Sequence, residues 1–393
     1  MDHSPTSWPA PLRRLALELP TSRIGDVAAI GRGDRNVIPL WFGESDLQTP
    51  KFICDAAAAA MHEGHTFYTW QRGIPELRQA LADYTNRLYG GRCTAENITV
   101  TGSGMQAILL SCQTIIEPGD NIVVVSPVWP NIVAAARVMG GEAREVSLRL
   151  VEGKWHLDID QLNDAIDQRT RAIFVNSPGN PTGWTMENDQ HAAMLEIARK
   201  RNIWIIADEV YARIVYDRPV APSFLHVARE GDPLIIVQSF SKPWAMTGWR
   251  LGWVTSSNAM GEQLAKLIQF NLSGSPAFLQ FGALTAIEKG ESFVAQMVDR
   301  CRAGREMVFQ RLAANPRIRV ARPDAAFYAF LAVDGMKDSL AFASKMVRDA
   351  KLGMAPGVAF GRGGEGHLRL CFASAPERMN EALDRFETFL AKN

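Results

Sequence analysis

The sequence predicts an α/β protein: a mostly parallel central sheet flanked by helices, with a smaller α+β domain built from the N- and C-terminal segments. Three observations carry this. Five short β-branched or apolar runs, Ile98–Thr101, Ile122–Val125, Ala172–Val175, Ile203–Ile206 and Leu234–Val237, are bounded by polar or glycine signals. Most read as strands buried on both faces. Helical patterns over Gln106–Ile116 and Asn188–Lys200 separate strands in this series, and such alternation builds parallel sheets. After about residue 290 the texture changes. Helical segments (Phe293–Leu312, Ser339–Ala350, Pro376–Ala391) then alternate with the short strands Ala326–Phe330 and His367–Phe372.

A chain of 393 residues is long for one simple core, so more than one domain is expected. The expected division is an N-terminal arm and part of the small domain in 1–45, a large ligand-binding domain in 46–290, and a C-terminal small domain in 291–393. Residues 1–45 hold no long apolar strand and are expected to pack on the small domain. The alanine run Ala56–Ala60 reads as a helix packed closely on a neighbour.

Lys+Arg 42 balances Asp+Glu 42, so no basic excess points to nucleic acid. The five cysteines, Cys54, Cys93, Cys112, Cys301 and Cys371, form no CxxC pair. Neither zinc nor any other metal site nor a disulfide framework is expected, and reduced thiols in a cytoplasmic protein are. The start Met1–Pro5 lacks a secretory pattern, and no apolar run reaches the roughly 18 residues of a membrane span.

In parallel sheets, ligands bind beyond the carboxyl ends of the strands. The segments after the five runs are Gly102–Met105, Ser126–Trp129, Asn176–Gly183, Asp208–Tyr211 and Ser239–Lys242, and together they would face one crevice. Lys242 offers an amine for imine chemistry, while Ser239, Ser241 and Arg250 can hold a phosphate; this combination suits pyridoxal 5′-phosphate, PLP. Asp208 is placed to keep a pyridine nitrogen protonated. Tyr211 and Asn180 can donate to a phenolic oxygen. Gly102–Gly104 lies between strand and helix, as a phosphate loop does. Trp129 can stack on a ring, and Arg369 can grip a carboxylate with two prongs.

These residues occur in the order Asn176-x-Pro178-x-Asn180-Pro181-Thr182-Gly183, Asp208-x-x-Tyr211, Ser239-x-Ser241-Lys242, Gly248-x-Arg250-x-Gly252 and Arg369. In this the chain resembles the fold-type I PLP-dependent aminotransferases of class I/II, the aspartate-aminotransferase-like superfamily, from about Ile38 to about Phe389. The resemblance implies Lys242, Asp208 and Tyr211 as catalytic residues, with Lys242 forming the imine to PLP. It implies cofactor contacts from Ser103, Gly104, Met105, Trp129, Asn180, Ser239, Ser241 and Arg250. Tyr68 resembles the tyrosine that reaches the cofactor phosphate of the other subunit, which implies a homodimer with shared active sites. Gly43, Asn180 and Arg369 would bind the substrate carboxylate. The implied reaction moves an amino group between an L-amino acid and a 2-oxo acid by a ping-pong mechanism, with glutamate/2-oxoglutarate as the expected pair for one half-reaction.

The sequence departs from the family at three places. Met105 stands where one prokaryotic aspartate branch has a lysine for the distal carboxylate. Phe270–Pro276 lacks the arginine that another branch lends to its partner subunit. Ile132 stands where some relatives have histidine. A specific aspartate enzyme is not expected; Arg32, Arg35 or Arg72 could supply the missing cation, and Trp41, Phe42, Trp70 and Met105 suggest neutral or aromatic side chains. A PLP-dependent carbon–sulfur β-lyase would use the same lysine, aspartate and arginine, and pyruvate and ammonia formed without an acceptor would mark it. A non-enzymatic PLP-sensing regulator would need a DNA-binding domain ahead of the matched region; fewer than about 45 residues precede it, without a basic helix-turn-helix pattern.

Overall fold

The computed structural model describes residues 11–392. The start Met1–Pro5 and the first part of the 1–45 segment lie outside the described residues. The central sheet has seven strands: β1 (Ile98–Thr101), β2 (Asn121–Ser126), β3 (Glu142–Ser147), β4 (Thr170–Asn176), β5 (Trp204–Asp208), β6 (Leu234–Ser239) and β7 (Gly252–Ser256), in the order β1-β7-β6-β5-β4-β2-β3. All except β7 run in the same direction; β7 is antiparallel to both β1 and β6. The five expected strands are all present, and the mostly parallel α/β fold is as the sequence predicts.

Their apolar runs reflect burial on two sides. Ile122, Val124, Phe174, Ile206 and Val237 pack into one core with the helix Gly104–Ile115. Val123, Val125, Ile173, Ile205 and Ile236 pack into another with Met194, Leu195 and Ala198 of the helix Asn188–Arg201. Alternate side chains of one strand thus feed opposite faces, and both faces are apolar because both are covered by helices.

A second sheet contains β8 (Ile318–Val320), β9 (Tyr328–Val333), β10 (Ala355–Pro356) and β11 (His367–Cys371), in the order β8-β9-β11-β10. Strand β9 starts two residues later than the sequence suggests. Ala326 sits at φ 58°, in a turn whose N–H is bonded to Ile214, so extended pairing begins only at Tyr328. The helices Glu291–Ala313, Ser339–Ala350 and Pro376–Lys392 contribute to this sheet's core. Ile24, Val27, Ile38, Leu40 and Trp41 join the same core, and Ile38–Pro39 pairs in parallel with Leu352–Gly353. The alanine run lies in the helix Lys51–His62; Ala57 and Ala60 are buried, and a Cβ on Gly282 would come within 3.1 Å of Ala57.

Candidate active site

The carboxyl ends of β1, β4, β5 and β6 open on a cavity of about 280 Å³, whose lining includes Gly43, Gly104, Met105, Trp129, Asn180, Asp208, Tyr211, Ser239, Ser241, Lys242, Arg250 and Arg369. The structure therefore brings together every residue expected to meet the cofactor or the substrate carboxylate except Ser103 and Tyr68; of the expected apolar wall, Trp41, Phe42 and Met105 line the cavity, while Trp70 is 67% exposed and does not. Strand β7 explains how Arg250 arrives there. Gly252, its first residue, pairs with both Thr101 and Ser239, the last residues of β1 and β6. A Cβ at Gly252 would lie 2.7 Å from Gly104 N and 2.7 Å from Gln238 O, so glycine is required for the Ser103–Gly104 backbone to cross it.

Ser103 does not line the cavity. Its Oγ accepts from Gln106 N at 2.9 Å, the N-cap bond that starts the helix Gly104–Ile115. This cap bond uses the hydroxyl as an acceptor and leaves its proton free to donate. The helix start still presents backbone N–H groups beside Ser239 and Ser241, an arrangement suited to an anion. Ser239 Oγ accepts from Ser241 N at 3.1 Å, which pins the turn ahead of Lys242. Arg250 occupies the left-handed region at φ 54°, an unusual state for arginine; its Nη1 bonds Thr247 O at 2.6 Å.

Lys242 Nζ donates to Gly43 O at 2.6 Å. Burial pulls its pKa down to about 8, so the neutral amine is accessible near physiological pH. Asp208 is 5% exposed, and burial pushes its pKa up to about 7. One oxygen accepts from Val210 N at 3.3 Å; no cation among the described residues is hydrogen-bonded to it. Such a carboxylate is fully ionised at neutral pH only when a cation is brought to it. Its backbone is fixed by Asn176, whose Nδ2 donates to Asp208 O at 2.9 Å while its Oδ1 accepts from Asn180 N at 2.7 Å.

Arg369 is buried between the rings of Tyr328 and Phe360, 4.6 and 5.0 Å from their centroids. Nη1 donates to Asn180 Oδ1 at 3.0 Å, Nη2 donates to Trp41 O, and Nε has no partner. The guanidinium is thus aimed by both sheets and by the N-terminal segment at once. Replacing Arg369 by lysine should raise KM for an amino-acid donor roughly 10- to 100-fold, because an ammonium cannot reproduce a planar two-pronged grip; steady-state kinetics would check this, and an unchanged KM would count against carboxylate binding here.

Trp129 is half-buried, lines the cavity, and is tied by its backbone N–H to Asn180 O at 3.0 Å. Tyr68 is 95% exposed and outside the cavity of its own chain. The expected substitute cations fare differently from Arg369. Arg72 is committed to Thr99 at 3.2 Å and Asn258 at 2.8 Å, and neither it nor Arg32 nor Arg35 lines the cavity. Among the described residues, the cations that do are Lys242, Arg250 and Arg369.

Sequence reasoning assigned no role to Ile24, Asn176, Thr247 or Tyr328, all of which line the cavity. Asn176 lay inside a quoted motif. Tyr328 stood in an apparently apolar strand, and its polar tip was the one available signal.

The chain matches the family aminotransferase class I and II over residues 35–386. It is 34% identical to an aspartate aminotransferase of Pyrococcus horikoshii, with 90% of this chain and 91% of that protein covered. It is 31% identical to aromatic-amino-acid aminotransferase 2 of Thermococcus litoralis, with 94% of this chain and 95% of that protein covered. The solved structure of an alanine aminotransferase from Pyrococcus furiosus superposes with a TM-score of 0.91 at 28% identity, covering 98% of this chain and 100% of that one.

Proposed function

This chain belongs to the aminotransferase class I and II family and is an aminotransferase; from that premise we propose that it works with PLP in the cavity at the strand ends, through Lys242, Asp208 and Tyr211. The observation that carries this reading is the pairing of a buried amine at Lys242 with a buried carboxylate at Asp208 that lacks a cation. The donor set fits the cofactor: Ser239, Ser241, Arg250 and the N–H groups of Gly104 and Met105 for the phosphate, Asp208 for the ring nitrogen, Tyr211 and Asn180 for the ring oxygen, and Trp129 for the ring face.

When bound, PLP supplies a carbonyl that condenses with amines and a cationic ring that withdraws electrons from the substrate's α-carbon. Arg369 and Asn180 orient the substrate carboxylate, and Arg369's bond to Trp41 O holds the N-terminal segment over the site. Lys242 Nζ accepts the α-proton and holds it for redelivery, a base-then-acid role that suits a pKa of about 8. Asp208, buried and anionic, keeps a positive ring nitrogen protonated. Ile24, Trp41 and Phe42 form an apolar wall that limits water.

The substrates are an amino acid and a 2-oxo acid. With Lys242, Arg250 and Arg369 all assigned, the described residues leave no cavity-lining cation for a side-chain carboxylate. We therefore expect neutral or aromatic donors to be used with higher kcat/KM than aspartate. A panel of L-amino acids, with 2-oxoglutarate as acceptor, tests this; activity confined to aspartate would overturn it. Glutamate remains the expected partner in one half-reaction.

A homodimer is the assembly this reading favours. Phe67, Tyr68, Trp70 and Phe270 are 84%, 95%, 67% and 90% exposed, a cluster of aromatics that a second copy would cover, placing Tyr68 at that copy's phosphate site. The division into 46–290 as PLP-binding domain and 291–393 with 1–45 as small domain goes with the same reading, as does a cytoplasmic setting for the five unpaired thiols. Among the described residues no helix is long and apolar enough to cross a membrane.

A further inference from the structure

We propose that Tyr328 is a positioning residue for amino-group transfer: its hydroxyl donates to Tyr211 and thereby turns the Tyr211 proton into the cavity. The inference rests on the reading of Tyr211 as the donor to the cofactor's ring oxygen. The two hydroxyl oxygens lie 2.7 Å apart, so one proton lies between them. Which phenol supplies it is decided by what surrounds each. Tyr328 is 0% exposed, and Tyr211 Oη is the acceptor the structure gives its proton. With Tyr211 spending its one proton on the cofactor's ring oxygen, the proton between the two phenols must come from Tyr328, for which Tyr211 Oη is the one acceptor among the described residues. With Tyr328 as donor, both protons are used: one on Tyr211 Oη, the other free to meet an oxygen in the cavity. Burial pushes the pKa of both phenols up, so both keep their protons at neutral pH.

Tyr328 is held where this role needs it. It stands on β9, diagonal to Arg369 on β11, with Phe330 directly opposite that arginine, so its ring meets the guanidinium at 4.6 Å. Its hydroxyl fills the space above Gly43, where a Cβ would lie 2.0 Å from Tyr328 Oη. Gly43 O in turn takes the bond from Lys242 Nζ. One side chain therefore touches the groups assigned to the ring oxygen, to the substrate carboxylate, and to the backbone that steadies the lysine. The other titratable groups facing the phenol pair are Asp208, Arg369, Cys371 and Lys242, whose Nζ lies 5.8 Å from the Tyr211 ring centroid, and phenylalanine at 328 leaves all four in place.

A phenol that receives a hydrogen bond is a stronger donor. It stabilises an anionic ring oxygen better, so the PLP-loaded enzyme should lose the proton of its visible chromophore at lower pH. The test is a spectrophotometric pH titration of PLP-loaded wild type, Tyr328→Phe, Tyr211→Phe and the double variant, without substrate. Tyr328→Phe should raise the midpoint by roughly half a pH unit to one unit. Tyr211→Phe should raise it further, and adding Tyr328→Phe to Tyr211→Phe should change nothing more. An unmoved midpoint in Tyr328→Phe, or shifts that simply add in the double variant, would overturn the proposal. Absence of a titrating visible band in wild type would instead strike at the PLP reading itself.

Discussion

Replacing Lys242 by alanine is expected to lower turnover by on the order of 10⁴-fold or more, because one amine serves as both nucleophile and proton carrier. The variant should still take up PLP, since the phosphate contacts proposed for Ser239, Ser241, Arg250 and the start of the helix Gly104–Ile115 do not involve the lysine. What should vanish is the visible absorption of lysine-bound PLP. Lys242 is the amine suited to this bond: it lines the cavity, its ammonium is destabilised by burial toward a pKa of about 8, and its Nζ is held at 2.6 Å by Gly43 O. An alanine variant that kept the same band would show that another amine carries the cofactor.

Replacing Asp208 by alanine is expected to lower kcat roughly 10²- to 10⁴-fold while changing PLP affinity by less than about 10-fold. The carboxylate is 5% exposed, and its environment pushes its pKa up to about 7. Pairing it with a protonated ring nitrogen reverses that shift, and by the same coupling holds the proton on the ring at physiological pH. Removing it leaves a ring nitrogen that is free to go neutral and draws electrons from the α-carbon less well. Single-turnover kinetics, with the dissociation constant of PLP measured separately, would separate the two effects; an unchanged turnover number would contradict the pyridinium role.

Most of this site was legible in the sequence for one physical reason. Strands buried on both faces are written as short apolar runs, and a parallel sheet gathers whatever follows them at one edge. Asp208, Asn180, Ser239 and Lys242 all stand at such ends. Strand β7 was less visible: it is antiparallel, and its glycine belongs equally to the motif that carries Arg250. Strand β3 is half-exposed along most of its length, so Glu142–Ser147 has no apolar signature. The bond from Arg369 to Trp41 O spans 328 residues, a closure that no local pattern encodes. Tyr328 escaped because a tyrosine in a buried strand looks like packing until the partner of its hydroxyl is known. Ser103 shows the reverse case: its place between strand and helix was legible, but the cap bond its Oγ accepts was not. Tyr68 is exposed in one chain, as the proposed contact with a second copy would require.

The central claim is transfer of an amino group at a lysine-bound PLP, and one measurement addresses it most directly. The PLP-loaded enzyme is mixed with a single L-amino acid and no 2-oxo acid, and its visible absorbance is followed together with the products. A ping-pong aminotransferase should lose the band once, release one equivalent of 2-oxo acid per active site without free ammonia, and regain the band when a 2-oxo acid is added. Continuous release of ammonia with the band undiminished would contradict that account and identify an eliminating enzyme in its place.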